Sequence, residues 1–186
     1  REGVSMKKNL KSILSWLALI AIVYLALTVL VSAGVIRLYH LQILMGIGIS
    51  MIMAMGTNLV LGFSGQFPLG QAGFMAIGAY ATAILTKSNP TYAGFYLSML
   101  VGMLVAGLVA VIVGFPTLRL KGDYLAIATL GVAEIIRIAI VNGGDFTNGA
   151  AGLTGILPYT SWQLVFAFVV IIAILMLNFL RSSVGR

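Results

Sequence analysis

Charged residues divide this chain into long uncharged stretches, which limit what it can fold into. Lys11 to Arg37 encloses 25 uncharged residues, Lys87 to Arg119 encloses 31, and Asp145 to Arg181 encloses 35. A bilayer core about 30 Å thick is crossed by roughly 20 apolar residues in a helix. Each of these stretches therefore fits one span. The 49 residues between Arg37 and Lys87, with His40 counted as neutral, fit two spans and a break.

A further span begins near Asp123, although it contains Glu134 and Arg137. The pattern thus predicts an all-α membrane protein, a single polytopic helical bundle with six membrane segments. We place the segments near 13–33, 41–61, 69–86, 93–114, 124–141 and 162–180.

The composition excludes other classes of protein. Hydrophobic residues make up 61% of the chain and charged residues 8%, whereas a soluble domain carries about 25% charged residues. So few charged residues cannot cover the surface of a soluble domain, which excludes that class. Disorder is excluded as well, because disordered chains are poor in apolar residues. The absence of cysteine and the single histidine, His40, exclude thiolate and multi-histidine metal sites.

The basic residues predict an orientation rather than a nucleic-acid partner, despite the net charge of +7. With the N-terminus inside, eight of the 11 Lys and Arg residues lie on the cytoplasmic side, Arg37 and Lys87 lie outside, and Arg137 lies within a span. The eight are Arg1, Lys7, Lys8, Lys11, Arg119, Lys121, Arg181 and Arg186. This positive-inside bias favours an N-in and C-in topology.

The first segment is expected to remain in the protein. Lys7, Lys8 and Lys11 resemble the basic region of a signal peptide, but the apolar stretch after them has full span length and no convincing cleavage site follows. Met6 has the position of a natural start, so we expect residues 1–5 to be extraneous.

Small residues at four-residue spacing predict close helix packing. The fourth segment carries Gly102, Ala106, Ala110 and Gly114, and the second carries Gly46, Ser50, Ala54 and Asn58. These ladders indicate a multi-helix bundle and carry no chemistry of their own.

The break between the second and third segments holds Gly, Ser, Pro and Gln but no charge. Its polar and turn-forming residues include Asn58, Gly65, Gln66, Pro68 and Gln71. Irregular backbone at membrane depth is tolerated where it is buried in protein or lines a wet cavity, and transporters use interrupted helices along their pathways. We interpret the break as a re-entrant part of a translocation pathway, with a plain tight turn as the alternative.

Glu134 and Arg137 are three residues apart and share one helix face. A mutual ion pair facing the bundle interior is the usual way to keep such charges in a membrane. The pair is either a polar element of a transport path or a structural pair that orients the helix, and Arg137 alone is also placed to snorkel outward.

Two further stretches have polar roles by their position. Asp123 precedes an apolar run and is placed to cap a helix N-terminus, beside Arg119, Lys121 and Gly122 at the cytoplasmic face. The turn-rich stretch 142–152 lies outside, where it either meets an external partner or forms a flexible loop. No catalytic constellation and no phosphate-binding loop is present in the sequence, which predicts that any ATP site is on another chain.

Two motifs stand out in the sequence. Residues 62–80 read GFSGQFPLGQAGFMAIGAY, and residues 114–131 read GFPTLRLKGDYLAIATLG and continue through Arg137. Both resemble the permeases of branched-chain amino acid ABC transporters, most closely the longer, M-type member of the permease pair. Family members often have Ser at the position of Pro68 and His at that of Gln71, so a pathway role there is less secure. The outer loop also departs from the common T-G-G-x-N-G pattern.

The resemblance implies a subunit of a bacterial importer for leucine, isoleucine or valine in the inner membrane. Its partners would be a second permease, two cytoplasmic ATPases that hold ATP and Mg²⁺, a periplasmic binding protein and the lipid bilayer. The chain itself would hold no cofactor and would not be an enzyme. Arg119, Lys121, Gly122 and Asp123 would belong to the cytoplasmic signature.

Members of that family are longer, and their coupling segment follows a Gly-Arg-Ala-type sequence after a span. Because this chain stops at Arg186, we expect an N-terminal part, truncated before the coupling segment, that does not support ATP-driven transport alone. Two alternatives stay open: a related permease for urea, amides or other small amino acids, and an ion-coupled secondary transporter or channel. A membrane enzyme is the least favoured class.

Overall fold

The computed structural model describes residues 2–34, 36–65, 68–117, 119–120 and 122–182, and in this part of the chain every regular element is helical. The six α-helices are α1 (Glu2–Ser32), α2 (Leu38–Ser64), α3 (Gln71–Ser88), α4 (Tyr92–Thr117), α5 (Asp123–Val141) and α6 (Trp162–Arg181). Two 3-10 turns, Gly144–Phe146 and Gly149–Ala151, lie between α5 and α6.

The helices lie on the six stretches predicted as membrane segments, and their ends differ from the prediction by up to three residues except at the N-terminus. There α1 begins at Glu2 rather than near residue 13. A helix need not end where its apolar face ends, since lysine is a good helix former.

In the part of the chain that the structure describes, four helices are long and apolar enough to cross a membrane: Leu38–Phe63, Tyr92–Thr117, Asp123–Val141 and Trp162–Leu180. In α1 the apolar part that the structure describes is shorter, Ala18–Ser32. Large apolar side chains on the outer faces are exposed, as Leu104, Val111 and Phe115 of α4 illustrate. Such a surface suits lipid and not water.

Helices α3 and α4 form the closest helix pair. A Cβ on Gly78 would lie 3.5 Å from Cβ of Ala106, and a Cβ on Gly102 would lie 2.7 Å from the Gly78 carbonyl oxygen. Ser98 and Gly102 of α4 are buried in this contact. Small residues thus let the two backbones approach, as is usual for membrane helices.

Helix α6 packs on α2 and α1. A Cβ on Gly48 of α2 would lie 2.6 Å from Cγ1 of Val165, and the ring of Trp162 lies 5.5 Å from that of Tyr24 in α1. Val165 and Trp162 are both buried. This second group of helices is built around larger side chains than the pair α3 and α4.

The two predicted ladders behave differently. On α4, Gly102 and Ala106 pack against α3, whereas a Cβ on Gly114 would meet nothing within 4 Å. On α2, the ladder that starts at Gly46 is exposed in this chain, and α6 contacts Gly48 instead. The spacing on α2 therefore does not mark a contact within this chain, where Gly48 provides the shallow surface against which Val165 packs.

Helix α5 lies against α3 through two further glycines. A Cβ on Gly73 would lie 2.9 Å from Cα of Ala133, and a Cβ on Gly70 would lie 2.9 Å from the Thr129 carbonyl oxygen. Gly70 and Gly73 are both buried. This close approach brings the polar residues of α5 beside the small residues of α3.

Candidate functional site

A cleft of about 410 Å³ runs between α3 and α5. Small side chains of α3, Ala72 and Ala76, form one wall, and Leu130 lies on the opposite wall with the polar pair Glu134 and Arg137. Because α3 presents alanine at these positions, space remains between two helices whose backbones touch at Gly73.

Glu134 and Arg137 form a bidentate ion pair at this cleft. The Arg137 Nη2 donates to Glu134 Oε1 at 2.6 Å, and its Nε donates to Oε2 at 2.9 Å. The planar guanidinium matches the carboxylate in this fork arrangement, which is the strongest form of such a pair. Both side chains stay open to the cleft, with 64% of Arg137 and 52% of Glu134 exposed.

The connection after α5 closes one end of the cleft with Gly149 and Ala150. Thr147 is 8% exposed and donates its hydroxyl hydrogen to the Ile140 carbonyl at 2.6 Å. The Asn148 amide donates to the Gly152 carbonyl at 2.7 Å. These contacts hold the connection against α5, although turn-rich sequence allowed a flexible loop there.

The other end of the cleft is formed by the connection between α2 and α3, from which Leu69 lines the cleft. The backbone N–H of Leu69 donates to Thr129 Oγ1 at 3.2 Å, and Gly70 packs on the Thr129 backbone. Thr129 is six residues into α5, which corresponds to about 9 Å from the start of that helix. The connection therefore lies alongside the second turn of α5 and not at its end.

Gln71, the first residue of α3, ties that helix to α2. Its side-chain amide lies against Thr57, and with the amide nitrogen turned toward α2 it donates to the Met53 carbonyl at 3.1 Å. In that orientation the amide oxygen accepts from the Thr57 backbone N–H at 3.0 Å. The amide thus joins one turn of α2 to the start of α3.

The other residues predicted for the break lie around this tie. Gly65 ends α2 in the left-handed conformation, with φ 62°, and its N–H donates to the Leu61 carbonyl at 2.9 Å. Asn58 is exposed on α2, and Pro68 is half-buried ahead of α3. Gln66 lies outside the described residues. Among the described residues of this break, Asn58, Gly65 and Pro68 do not line the cleft.

The predicted cytoplasmic signature lies between α4 and α5. The Arg119 guanidinium carbon lies 5.5 Å from the centre of the Phe115 ring, within reach of a cation–π contact. Gly122 has φ 58° and occupies the N-cap position of α5 without a side-chain cap. The expectation that Asp123 caps this helix is wrong, because the chain turns at Gly122 and Asp123 is already the first helical residue. Lys121 lies outside the described residues.

Sequence reasoning missed several residues that shape the site: Thr57, Gly73, Tyr80, Thr129 and Thr147. Gly73 and Tyr80 lie inside the first motif and Thr129 inside the second, so the motifs contained the signal. The sequence contains no comparable signal for Thr57 or Thr147, since a single threonine outside a motif is compatible with many structural roles.

The arrangement suits the binding of a small solute. Among the described residues no group of three His, Asp or Glu side chains gathers to hold a metal ion. The cleft offers one anion, one cation and apolar walls, which is the pattern of a site that recognises a small solute.

Comparison with known proteins points in one direction. A family model described as the permease component of a branched-chain amino acid transport system matches residues 39–186. The chain is 44% identical over 96 residues to LivM, the high-affinity branched-chain amino acid transport system permease protein of Escherichia coli K12, and also to LivM of Salmonella typhimurium LT2. Each match covers 51% of this chain and 22% of the relative, so the chain matches about a fifth of their length. No solved structure matches it.

Proposed function

The chain belongs to the family of branched-chain amino acid transport permease components, and on that premise we propose that it is a permease subunit of an ATP-driven importer for leucine, isoleucine and valine. The observation that carries this proposal is the family match over residues 39–186. It is supported by four helices with the length and apolarity of membrane spans and by relatives that are themselves named as such permeases.

We further propose that all six helices cross the inner membrane of a bacterium, with both ends of the chain in the cytoplasm. The charge distribution supports this orientation, since it would place eight of the 11 Lys and Arg residues on the cytoplasmic side, whereas Lys87 lies in the last turn of α3 on the other side. The chain has no cysteine, so single cysteines report the sides cleanly. Ser88→Cys should react with an impermeant maleimide in intact cells, and Arg119→Cys only after permeabilisation. The reverse pattern would overturn the orientation.

The proposed partners are a second permease, two cytoplasmic ATPases and a periplasmic binding protein. The printed names of the relatives describe a permease protein of a transport system, which supports an assembly of several components. ATP and Mg²⁺ would be bound by the ATPases, and this chain would convert closure of the ATPases into access to either side of the membrane.

Within this chain we assign the translocation pathway to the cleft between α3 and α5. Helix α5 carries a charged pair that is open to the cleft, and charges within a membrane helix usually face a wet cavity or a bundle interior. The break around Gly65, Pro68 and Gln71 would form the inner border of this pathway, with its backbone packed on α5.

The complete transporter, reconstituted in proteoliposomes with its binding protein, provides the test. Labelled leucine should accumulate only with ATP, and a variant that disables both ATPases should abolish the uptake. Leucine uptake that persists without ATP hydrolysis would favour the secondary transporter, and ATP-driven uptake of urea but not of leucine would favour the urea permease. Either result would contradict the proposed function.

A further inference from the structure

The cleft between α3 and α5 has an unusual balance of charge. Among the described residues that line it, the charged side chains are Glu134 and Arg137, one of each sign. The remaining lining is apolar or small, apart from Tyr80. A solute with one charge would meet an oppositely charged group that already has a partner in the ion pair. A solute with both charges would meet an oppositely charged group for each of them.

The two charged groups are positioned to be shared with a solute. They lie on successive turns of α5, bonded at 2.6 and 2.9 Å, and more than half of each side chain is exposed. Arginine presents a planar fork that fits a carboxylate, and the Glu134 carboxylate accepts from an ammonium group. Entry of a zwitterion would replace one internal ion pair by two pairs with the solute.

Such an exchange leaves the net charge of the cleft at zero. Burying an unpaired charge is costly, whereas a charge that keeps a partner avoids most of that cost. A neutral amide such as urea has no formal charge to exchange for the internal pair. An amine or a carboxylic acid alone would satisfy one protein group and leave the other without its partner.

The apolar walls select the rest of the solute. Leu130 lies one turn before Glu134 on the same face of α5, and Ala72 and Ala76 of α3 lie across from it. The volume of about 410 Å³ is at the small end of the range for ligand sites. This surface offers apolar contact and no further charge, which suits an uncharged aliphatic side chain.

We propose that Glu134 and Arg137 bind the ammonium and the carboxylate of a zwitterionic α-amino acid, whose apolar side chain lies against Leu130 and Ala76. This assignment rests on the proposed function and goes beyond it, since it names the groups of the solute that the permease recognises and the residues that recognise them.

The test uses the assembled transporter without the binding protein, so that solute selection by that protein does not affect the result. Ala150→Cys places a reporter thiol at the outer end of the cleft, and Ser88→Cys, at the exposed end of α3, serves as the control thiol. The rate of maleimide labelling is measured with leucine, with isoamylamine, with 4-methylpentanoate and with urea.

Leucine should slow labelling of Ala150→Cys at least fivefold and leave Ser88→Cys unchanged. The amine, the acid and urea, at the same concentration, should protect less than twofold. The assignment would be overturned if the amine or the acid protected Ala150→Cys as well as leucine does. It would also be overturned if leucine protected Ser88→Cys equally, or if Ala150→Cys did not react with the maleimide. This comparison needs no change at the ion pair and so does not depend on how well charge variants fold.

Charge variants provide the second arm. Glu134→Gln and Arg137→Gln should each abolish protection by leucine, whereas Asp145→Asn, which removes an exposed carboxylate outside the cleft, should retain it. Leucine protection that survives both cleft variants would overturn the assignment. If ATP-driven leucine uptake is intact while the analogues protect alike, this assignment fails alone; if leucine is not taken up under ATP, the proposed function fails.

Discussion

Gly73 of α3 lies so close to Ala133 of α5 that a Cβ on residue 73 would stand 2.9 Å from the Cα of Ala133. The neighbouring atom belongs to backbone, which cannot rotate away as the end of a long side chain can. This contact places Glu134, the next residue of α5, at the wall of the cleft. Glycine at residue 73 is thus a requirement of the site and not only of the packing.

We predict that Gly73→Ala separates α3 from α5. Overpacking of a tight contact costs about 1–3 kcal/mol, so the apparent melting temperature of the purified permease should fall. The matched control is Gly131→Ala in α5, where a Cβ would meet nothing within 4 Å. That change should be neutral or stabilise by up to about 1 kcal/mol, since alanine favours helix over glycine. Equal melting temperatures for the two variants would contradict the close contact.

A second prediction concerns the tie between Gln71 and Thr57. Gln71→Met and Thr57→Val should each lower stability by about 1 kcal/mol, the usual net value of one hydrogen bond. Since the two side chains interact, the double variant should lose less stability than the sum of the two single losses, by about 0.5 kcal/mol or more.

The control for this cycle is Thr28→Val. The Thr28 hydroxyl bonds the carbonyl four residues earlier, as the Thr57 hydroxyl does, but it has no contact with Gln71. Its effect should add to that of Gln71→Met. Additivity in both cycles, measured by unfolding in detergent, would show that Gln71 does not hold α2.

The ion pair should govern how readily α5 enters a membrane. Glu134→Gln leaves Arg137 without its anionic partner, and an unpaired cation in a span costs up to about 3 kcal/mol on insertion scales. The fraction of chains with α5 inserted, measured by glycosylation sites placed on either side, should therefore fall. The double change to glutamine at both positions should restore much of it. If Glu134→Gln inserts as well as the unmodified chain, the pair has no role in insertion.

Thr147 should hold the connection between α5 and α6 in an ordered conformation. Thr147→Val keeps the size of the buried side chain but removes its bond to the Ile140 carbonyl. That carbonyl still accepts from the Gly143 N–H, so the loss should cost about 1 kcal/mol, the usual net value of one hydrogen bond. Amide hydrogen exchange across residues 142–152 should become at least several-fold faster. Thr154→Val, an exposed change in the same connection, should leave exchange unchanged. A similar rate in both variants would refute the anchoring role.

The helices of this chain are well predicted from the sequence, because a helix that crosses a bilayer needs an uncharged stretch of a defined minimum length. The sequence also places Glu134 and Arg137 on one face, since a three-residue separation determines that without knowledge of the fold. The sequence does not predict that α3 packs against this face of α5, because that depends on how the helices are arranged in the fold.

Small-residue spacing shows the same limit. The spacing on α4 marks a true contact at Gly102 and Ala106, whereas the spacing on α2 marks an exposed face and Gly48 makes the contact. A ladder records where a close approach is possible and does not record which helix approaches. Asp123 illustrates a local form of this problem: residue type favours a cap, but the φ of 58° at Gly122 moves the helix start by one residue.

The proposed passage of an apolar amino acid through the cleft between α3 and α5 can be tested by covalent labelling of the residues that the solute meets. A diazirine analogue of leucine, photolysed in the complete transporter during ATP-driven uptake, tests it most directly. We expect peptide mapping to find the label on residues 72–80 and 130–140, and excess leucine to prevent this labelling. Label confined to other helices, or label at the cleft that excess leucine does not displace, would contradict the account.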